Sequence, residues 1–340
     1  MLIHRMLLAV VLTGLLLPSI VPAQTILPYR AAWMKEARFG VMNHYLEDWI
    51  ARREKMPEGP MSVEKWNDLV DHFDVEKHVE QIKNTGAKYH IFTIGQNSGF
   101  YVSPSAAYDR IVGITPTHCA RRDLISDIAD AVHRRGMKMI VYLPAGAPSQ
   151  DRVACEKLQW QRGPATNREF QQHWEEIIRE WSTRWGTKVD GWWFDGCYWP
   201  NHMYRGKEPP NFESFAAAAR AGNPQSAVAF NPGVVYRTMS MTPEEDYTAG
   251  EVDLPERWMP RRNFDGLADG AQIQMLSYLG EKWGTGDSPR FKTDDAIVYT
   301  KKVIDTGGAV TWDVPIQRDG TIAQPFLDQL KGIGQALSSP

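Results

Sequence analysis

Apolar residues along this chain fall into two alternating patterns, a helical stripe closed by glycine and then a short unbroken apolar run. Over residues 75–85, Val75, Val79 and Ile82 recur at helical spacing, Gly86 marks the stop, and residues 88–95 follow as a strand. The unit repeats three times. Residues 123–135 carry Leu124, Ile125, Ile128 and Val132 on one face, end at Gly136 and feed a strand over 137–144. Residues 168–185 carry Phe170, Trp174, Ile177, Ile178 and Trp181, end at Gly186 and feed a strand that closes on Asp195. Residues 212–221, with Gly222 as the stop, lead to a strand over 227–232. Strands apolar throughout and separated by amphipathic helices predict a parallel sheet covered on both faces.

The flanks complete the count. A first strand is predicted over residues 38–45, followed by a charged, proline-bearing loop over 50–62. Residues 246–252 and 272–277 read as sixth and seventh strands with little helix between them. A helix over 293–306, stopped by Gly307, feeds the strand 309–315, and residues 325–337 close the chain as a helix with proline in its first turn. Eight strands predict an α/β fold, a (β/α)8-like TIM barrel with irregular fifth and sixth units, as one domain over residues 24–340. An open doubly wound sheet is the alternative, although no Gly-x-Gly-x-x-Gly follows any strand.

Residues 1–23 have the form of a signal peptide: His4 and Arg5 precede an apolar run over 7–17, and Val21-Pro22-Ala23 offers small residues for cleavage. That run is too short to remain as a membrane span. A secreted or periplasmic protein is therefore expected, with no membrane insertion once the leader is gone. Removing Arg5 from the 38 basic residues leaves 37 against 41 acidic ones, a net charge of −4. With no basic run either, nucleic acid is not expected as a partner. Cys119, Cys155 and Cys197 show no metal-ligand spacing and allow at most one bridge. No metal or organic cofactor is expected.

In a barrel, residues at the C-terminal strand ends converge on one pocket however far apart they lie in sequence. Those ends carry His44, the Gln96-Asn97-Ser98 turn, Tyr142, Asp195, Asn231, Glu251 and the Trp312-Asp313 pair. Two carboxylates with hydrogen-bonding groups and tryptophans suit glycoside hydrolysis, in which one acid attacks the anomeric carbon and the other handles the proton. Asp195 and Glu251 are the expected catalytic pair; His44, Gln96, Asn97, Tyr142, Asn231 and Trp312 are the expected substrate contacts. Simpler roles exist for both acids. Asp195 could cap the next helix, and Glu251 could be one more surface carboxylate beside Glu244, Glu245, Asp246 and Asp253. Of the 13 tryptophans, Trp174, Trp181 and Trp185 have helical spacing and belong to packing, whereas Trp49, Trp199, Trp258 and Trp312 are placed to reach a sugar.

The order of several short motifs resembles the family 29 α-L-fucosidases over nearly all of the sequence after the leader. Residues 38–44 resemble that family's first strand, and Gly86-Ala-Lys-Tyr89 through Gly99-Phe100 its second strand and loop. Arg122-Asp-Leu124 with Gly136-Met-Lys138 matches the next unit, and Trp193-Phe-Asp-Gly196 the nucleophile motif. Asp246-Tyr…Glu251…Pro255, Trp283-Gly284 and Gly307-Gly308…Asp319-Gly-Thr-Ile322 match the closing elements. The resemblance implies an exo-acting, retaining glycosidase that removes terminal α-L-fucosyl or related residues from an oligosaccharide or glycoconjugate. It puts Asp195 on the nucleophile, Glu251 on an acid/base candidate and His44 on a sugar contact. The chain departs from the pattern where Gln96-Asn97-Ser98 replaces a His-His-Asp run, where Tyr45-Leu46 replaces Trp-Gly, and where Ile273-Gln274 replaces a Trp-Glu pair. These changes point to an altered sugar preference, with a barrel that binds carbohydrate without cleaving it, or an extracellular structural protein, as the other readings.

Overall fold

Seven parallel strands form one sheet in the computed structural model, which describes residues 29–56, 59–161, 167–198, 203–259 and 270–338. They are β1 (Phe39–Asn43), β2 (Tyr89–Thr93), β3 (Lys138–Pro144), β4 (Gly191–Asp195), β5 (Ala227–Phe230), β6 (Gln274–Tyr278) and β7 (Ala309–Asp313). The order across the sheet is β5-β4-β3-β2-β1-β7-β6. The leader expected over residues 1–23 lies outside the described residues, as does Trp199.

Strand periodicity of two sorts the side chains into two cores. One set, including Val41, Phe92, Val141, Trp192, Phe194, Phe230 and Trp312, faces the surrounding helices. The other, including Met42, Tyr89, Ile91, Ile140, Tyr142, Trp193 and Ala229, faces inward. The inner layer fits by pairing large with small. Tyr89 crosses to Thr311, its hydroxyl 2.8 Å from Thr311 Oγ1, over a strand position where Gly40 leaves room. Any β-carbon at residue 40 would lie 2.3 Å from that tyrosine ring.

The sixth strand expected over 246–252 is not formed as a strand. That stretch meets β6 and the residues just before it through isolated parallel bridges, Tyr247 to Gln272 and Glu251 to Leu276, and through Thr248, whose Oγ1 donates to Gln274 O and accepts from Gln274 N, both at 2.9 Å. On its other side, the amides of β5 are met by side chains instead of carbonyls: Val228 N donates to Asp246 Oδ2 and Phe230 N to Glu245 Oε1, both at 2.9 Å. Carboxylates have taken the acceptor places that a backbone ladder would fill. Gly250 adds a second break, since its φ of 65° is not extended backbone, and a β-carbon there would press on Gln274 O at 1.9 Å. The sheet is thus a curled seven-stranded one, with residues 246–251 spanning between its two edges.

The helices over Val75–Lys83, Leu124–Arg134, Arg168–Trp185, Phe212–Ala219, Thr293–Ile304 and Gln324–Ser338 fall where the stripes place them. Three of these starts are fastened by side-chain caps, Asp74 accepting from Lys77 N, Asp123 from Ser126 N and Asn211 from Ser214 N, whereas Arg168–Trp185 and Thr293–Ile304 begin without one. The expected loop over 50–62 is partly helical, because the helix Glu47–Arg53 runs into it and Val63–Asp71 begins directly after. Both follow β1 on the rim where strand C-termini open.

Candidate active site

Asp195 points inward because it shares parity with Gly191 and Trp193 on β4, while Trp192 and Phe194 pack outward. Three donors fix its carboxylate. Oδ1 accepts from Asn231 Nδ2 at 2.8 Å and from Gly196 N at 2.8 Å, and Oδ2 accepts from the Tyr142 hydroxyl at 2.6 Å. Tyr142, near the C-terminal end of β3 and on the same inward face, in turn accepts from Gln96 Nε2 at 2.5 Å. Burial, then the charge of Asp195, hold the Tyr142 hydroxyl well above its ordinary range, so it remains a donor at any working pH.

Glu251 reaches the same point from the bridging segment. Asn231, fully buried just past β5, donates one amide hydrogen to Asp195 and the other to Glu251 Oε2 at 2.5 Å. The amide's orientation is set by Gly233 N, which donates to Asn231 Oδ1 at 3.0 Å. Two oxygens held by one nitrogen can be no farther apart than 2.8 and 2.5 Å laid end to end, or 5.3 Å. Glycosidases that retain configuration need carboxyl groups about 5–5.5 Å apart, and those that invert need about 6.5–9.5 Å. The 5.3 Å bound is on these two oxygens, and it lies beside the shorter of the two spacings. Burial first, and the neighbouring Asp195 charge second, push Glu251 up to about 7. A carboxyl so placed keeps a substantial protonated fraction at neutral pH beside a carboxylate fixed by donors.

His44 completes the opposite wall. Its Nδ1 lies 2.8 Å from Asp313 Oδ1, and Asp313 Oδ2 accepts from Gly284 N at 2.5 Å. A carboxylate only accepts, so Nδ1 carries hydrogen and Nε2 is left for a ligand. The ring stacks on Trp49 at a centroid distance of 4.8 Å and meets Tyr142 and Trp283 edge-on. Together with Met42, Gln96, Trp193, Asp195, Tyr198, Glu251 and Leu276, these residues line a cavity of about 200 Å³. That is small beside the roughly 300–1,000 Å³ of drug-sized ligand pockets and suits a single ring.

Of the residues expected to form the site, Asp195, Glu251, His44, Gln96 and Tyr142 line this cavity, and Asn231 joins the two acids from behind. Trp312 does not contribute: it is fully buried in the outer layer, where Nε1 donates to Thr300 Oγ1 at 2.9 Å. Strand alternation is the cause, since its neighbour Asp313 takes the inward position and holds His44. Asn97 also turns aside, accepting from Ser149 Oγ at 2.9 Å. Trp258 is buried and does not line the cavity, whereas Trp49 does. Gln274 is buried inside the sheet against Thr311, at 2.7 Å, and is not part of the pocket. Sequence reading passed over Tyr198 and Trp283 as pocket walls. Tyr198 directly follows the Asp195-Gly196-Cys197 turn, and that proximity was its one available signal.

The alpha-L-fucosidase family model matches residues 28–339. Among solved structures, the endo-fucoidan hydrolase P5AFcnA from glycoside hydrolase family 107 superposes with a TM-score of 0.68 at 17% identity, covering 92% of this chain and 94% of that one. The alpha-L-fucosidase isoenzyme 1 from Paenibacillus thiaminolyticus gives 0.63 at 20% identity, covering 90% and 74%. The alpha-fucosidase of Thermotoga maritima gives 0.61 at 19% identity, covering 89% and 73%. No curated protein matches the chain.

Proposed function

The chain belongs to the alpha-L-fucosidase family and is a glycoside hydrolase, and on that premise we propose that it releases α-L-fucosyl or closely related sugar residues from glycans with retention of configuration. The observation that carries this reading is the single amide of Asn231 shared by Asp195 and Glu251, which keeps one oxygen of each acid within 5.3 Å of the other, the two bond lengths of 2.8 and 2.5 Å end to end.

In the first step an Asp195 carboxylate oxygen attacks the anomeric carbon, the bond to the leaving oxygen breaks, and Glu251 gives that oxygen its proton. Tyr142 and Gly196 hold the nucleophile in line. Once Asp195 carries the sugar as an ester, its negative charge is gone, and with it the larger of the two charges that, after burial, keep Glu251 protonated. Glu251 is then ready to take a proton from water, which attacks the same carbon and frees Asp195. The single-ring size of the cavity supports removal of one unit at a time from a chain end. The signal-like leader supports export, to a secreted or periplasmic location.

The departures at Gln96-Asn97-Ser98 support a changed preference over a lost activity, because Gln96 is built into the site through Tyr142. The test is a panel of aryl glycosides, with α-L-fucoside first, whose product anomer is followed by proton NMR. Release of the α-anomer ahead of mutarotation is expected. Initial release of the β-anomer, or no turnover across the panel, defeats the reading.

A further inference from the structure

Of the residues that line the catalytic cavity, Tyr198 alone is exposed, at 50%, and the others are buried or half-buried. Tyr198 therefore stands at the mouth of the pocket.

Its place is fixed from two sides. The turn after Asp195 buries Cys197 and leaves Tyr198 outside. The ring comes to rest on the backbone at Gly233, where a β-carbon would lie 3.0 Å from Tyr198 Cδ1 and 3.1 Å from Cε1. Gly233 is the residue whose N–H sets the amide of Asn231, and that amide holds Glu251. The charge of Asp195 first, burial second and the charge of Glu251 third hold the Tyr198 hydroxyl above its ordinary range, so the ring feels both acids at one end and meets solvent at the other.

The apolar surface continues outside the pocket. Val234, next to Gly233, is 45% exposed, and Val235 N donates to Glu251 O at 3.2 Å, so this step runs beside the acid/base. Met259, also exposed, is bridged to Arg237 farther along the same segment. Three of the six large hydrophobic side chains exposed among the described residues are thus gathered along residues 233–237, at one side of the mouth.

What meets this surface follows from the size of the cavity. About 200 Å³ takes one sugar ring, so everything beyond the bond to be broken lies outside the mouth. Glu251 gives its proton to the oxygen of that bond, so the first group outside begins beside Glu251, where Tyr198 and Val234 stand. A pyranose carries C–H groups on its faces and hydroxyls around its edge. An aromatic ring at the mouth covers the first and leaves the second to water.

We propose that Tyr198, with Val234 beside it, is the platform for the sugar on the leaving side of the bond, so that the enzyme selects a ring-shaped leaving group through the face of Tyr198. The proposal rests on the glycosidase reading for its direction, but its test needs no turnover.

Binding of methyl, cyclohexyl and phenyl α-L-fucoside to the Asp195→Ala protein is measured by calorimetry. The three share the sugar in the pocket and differ only in what projects from the mouth. The cyclohexyl and phenyl glycosides are expected to bind about five-fold or more tightly than the methyl glycoside, the gain from covering roughly 40 Å² of apolar surface. Adding Tyr198→Ala should remove that advantage and adding Tyr198→Phe should keep it, with the methyl glycoside as the internal reference in each protein. Equal affinity for all three in the Asp195→Ala protein overturns the proposal, as does an advantage that survives Tyr198→Ala, one that is lost equally in Tyr198→Phe, or binding of none of the three. An advantage that depends on the ring of residue 198 in this way, with aryl fucosides uncleaved by the unmutated protein, sustains the platform and defeats the proposed activity alone. Cleavage of aryl fucosides without any such advantage sustains the activity and defeats the platform alone.

Discussion

Asp195 and Glu251 hang on the two hydrogens of one side-chain amide, that of Asn231, at 2.8 and 2.5 Å. The amide sits on neither acid's own segment, and its direction is set by Gly233 N. Spacing of the acids and the protonation of Glu251 are therefore controlled from a third element, and the first prediction concerns that control.

Asn231→Ala should lower kcat by about 10²-fold, since misplacement of a catalytic group on the ångström scale costs that much. Donation from Asn231 favours the ionised form of Glu251. Its loss should raise the Glu251 pKa and move the alkaline limb of the kcat/KM profile to higher pH. A profile unmoved despite the fall in kcat assigns Asn231 a purely structural place.

Glu251 must begin the reaction protonated, and burial with the Asp195 charge puts its pKa at about 7. Below that pH the acid is present; as pH rises through it the proton is lost, so kcat/KM should decline on the alkaline side. Glu251→Gln should abolish that limb and slow an ordinary glycoside by roughly 10²–10⁴-fold. A substrate with an activated phenolate leaving group should suffer far less in the first step, and azide should partly restore turnover. Equal losses on both substrates with no rescue would move the role to another acid.

Asp195→Ala removes the nucleophile but leaves Tyr142, Gln96 and His44 in place. Turnover should fall by about 10⁴-fold or more, the scale seen when a covalent nucleophile is deleted. The thermal unfolding midpoint and the affinity for sugar should change little. Near-normal activity in this variant is the outcome that the mechanism does not survive.

Asp313 acts through His44, which it holds by Nδ1. Asp313→Asn replaces an acceptor that demands hydrogen on Nδ1 by an amide that can donate to it, releasing the tautomer and the ring. KM should rise by more than kcat falls. A variant in which kcat alone drops would place His44 in proton transfer and not in sugar binding.

Trp312 is buried in the outer layer and bonded to Thr300 Oγ1. Trp312→Phe deletes that bond and leaves part of the indole volume empty, at a cost of about 1–3 kcal/mol in chemical denaturation. KM should be unchanged, because no part of the side chain lines the pocket.

Periodicity along the chain was enough to fix much of this protein. Helical stripes ended by Gly86, Gly136, Gly186, Gly222 and Gly307, each followed by an unbroken apolar run, determine alternating helices and parallel strands, since each is a local matter of which residues can bury together. The rule that strand ends converge then singled out Asp195, Glu251, His44, Gln96 and Tyr142 as neighbours. Tertiary structure decided what local pattern cannot encode. Whether residue 312 or residue 313 faces the pocket depends on strand parity, and a shift of one residue exchanges the two faces. Whether 246–252 joins the sheet depended on Asp246 and Glu245 taking the amides of β5 in place of a backbone ladder, a contact between segments about 15 to 20 residues apart. The pairing of the two acids through Asn231 exists only because distant segments close around the same pocket. Such distances are set by packing across the sheet, and no spacing along the sequence records them.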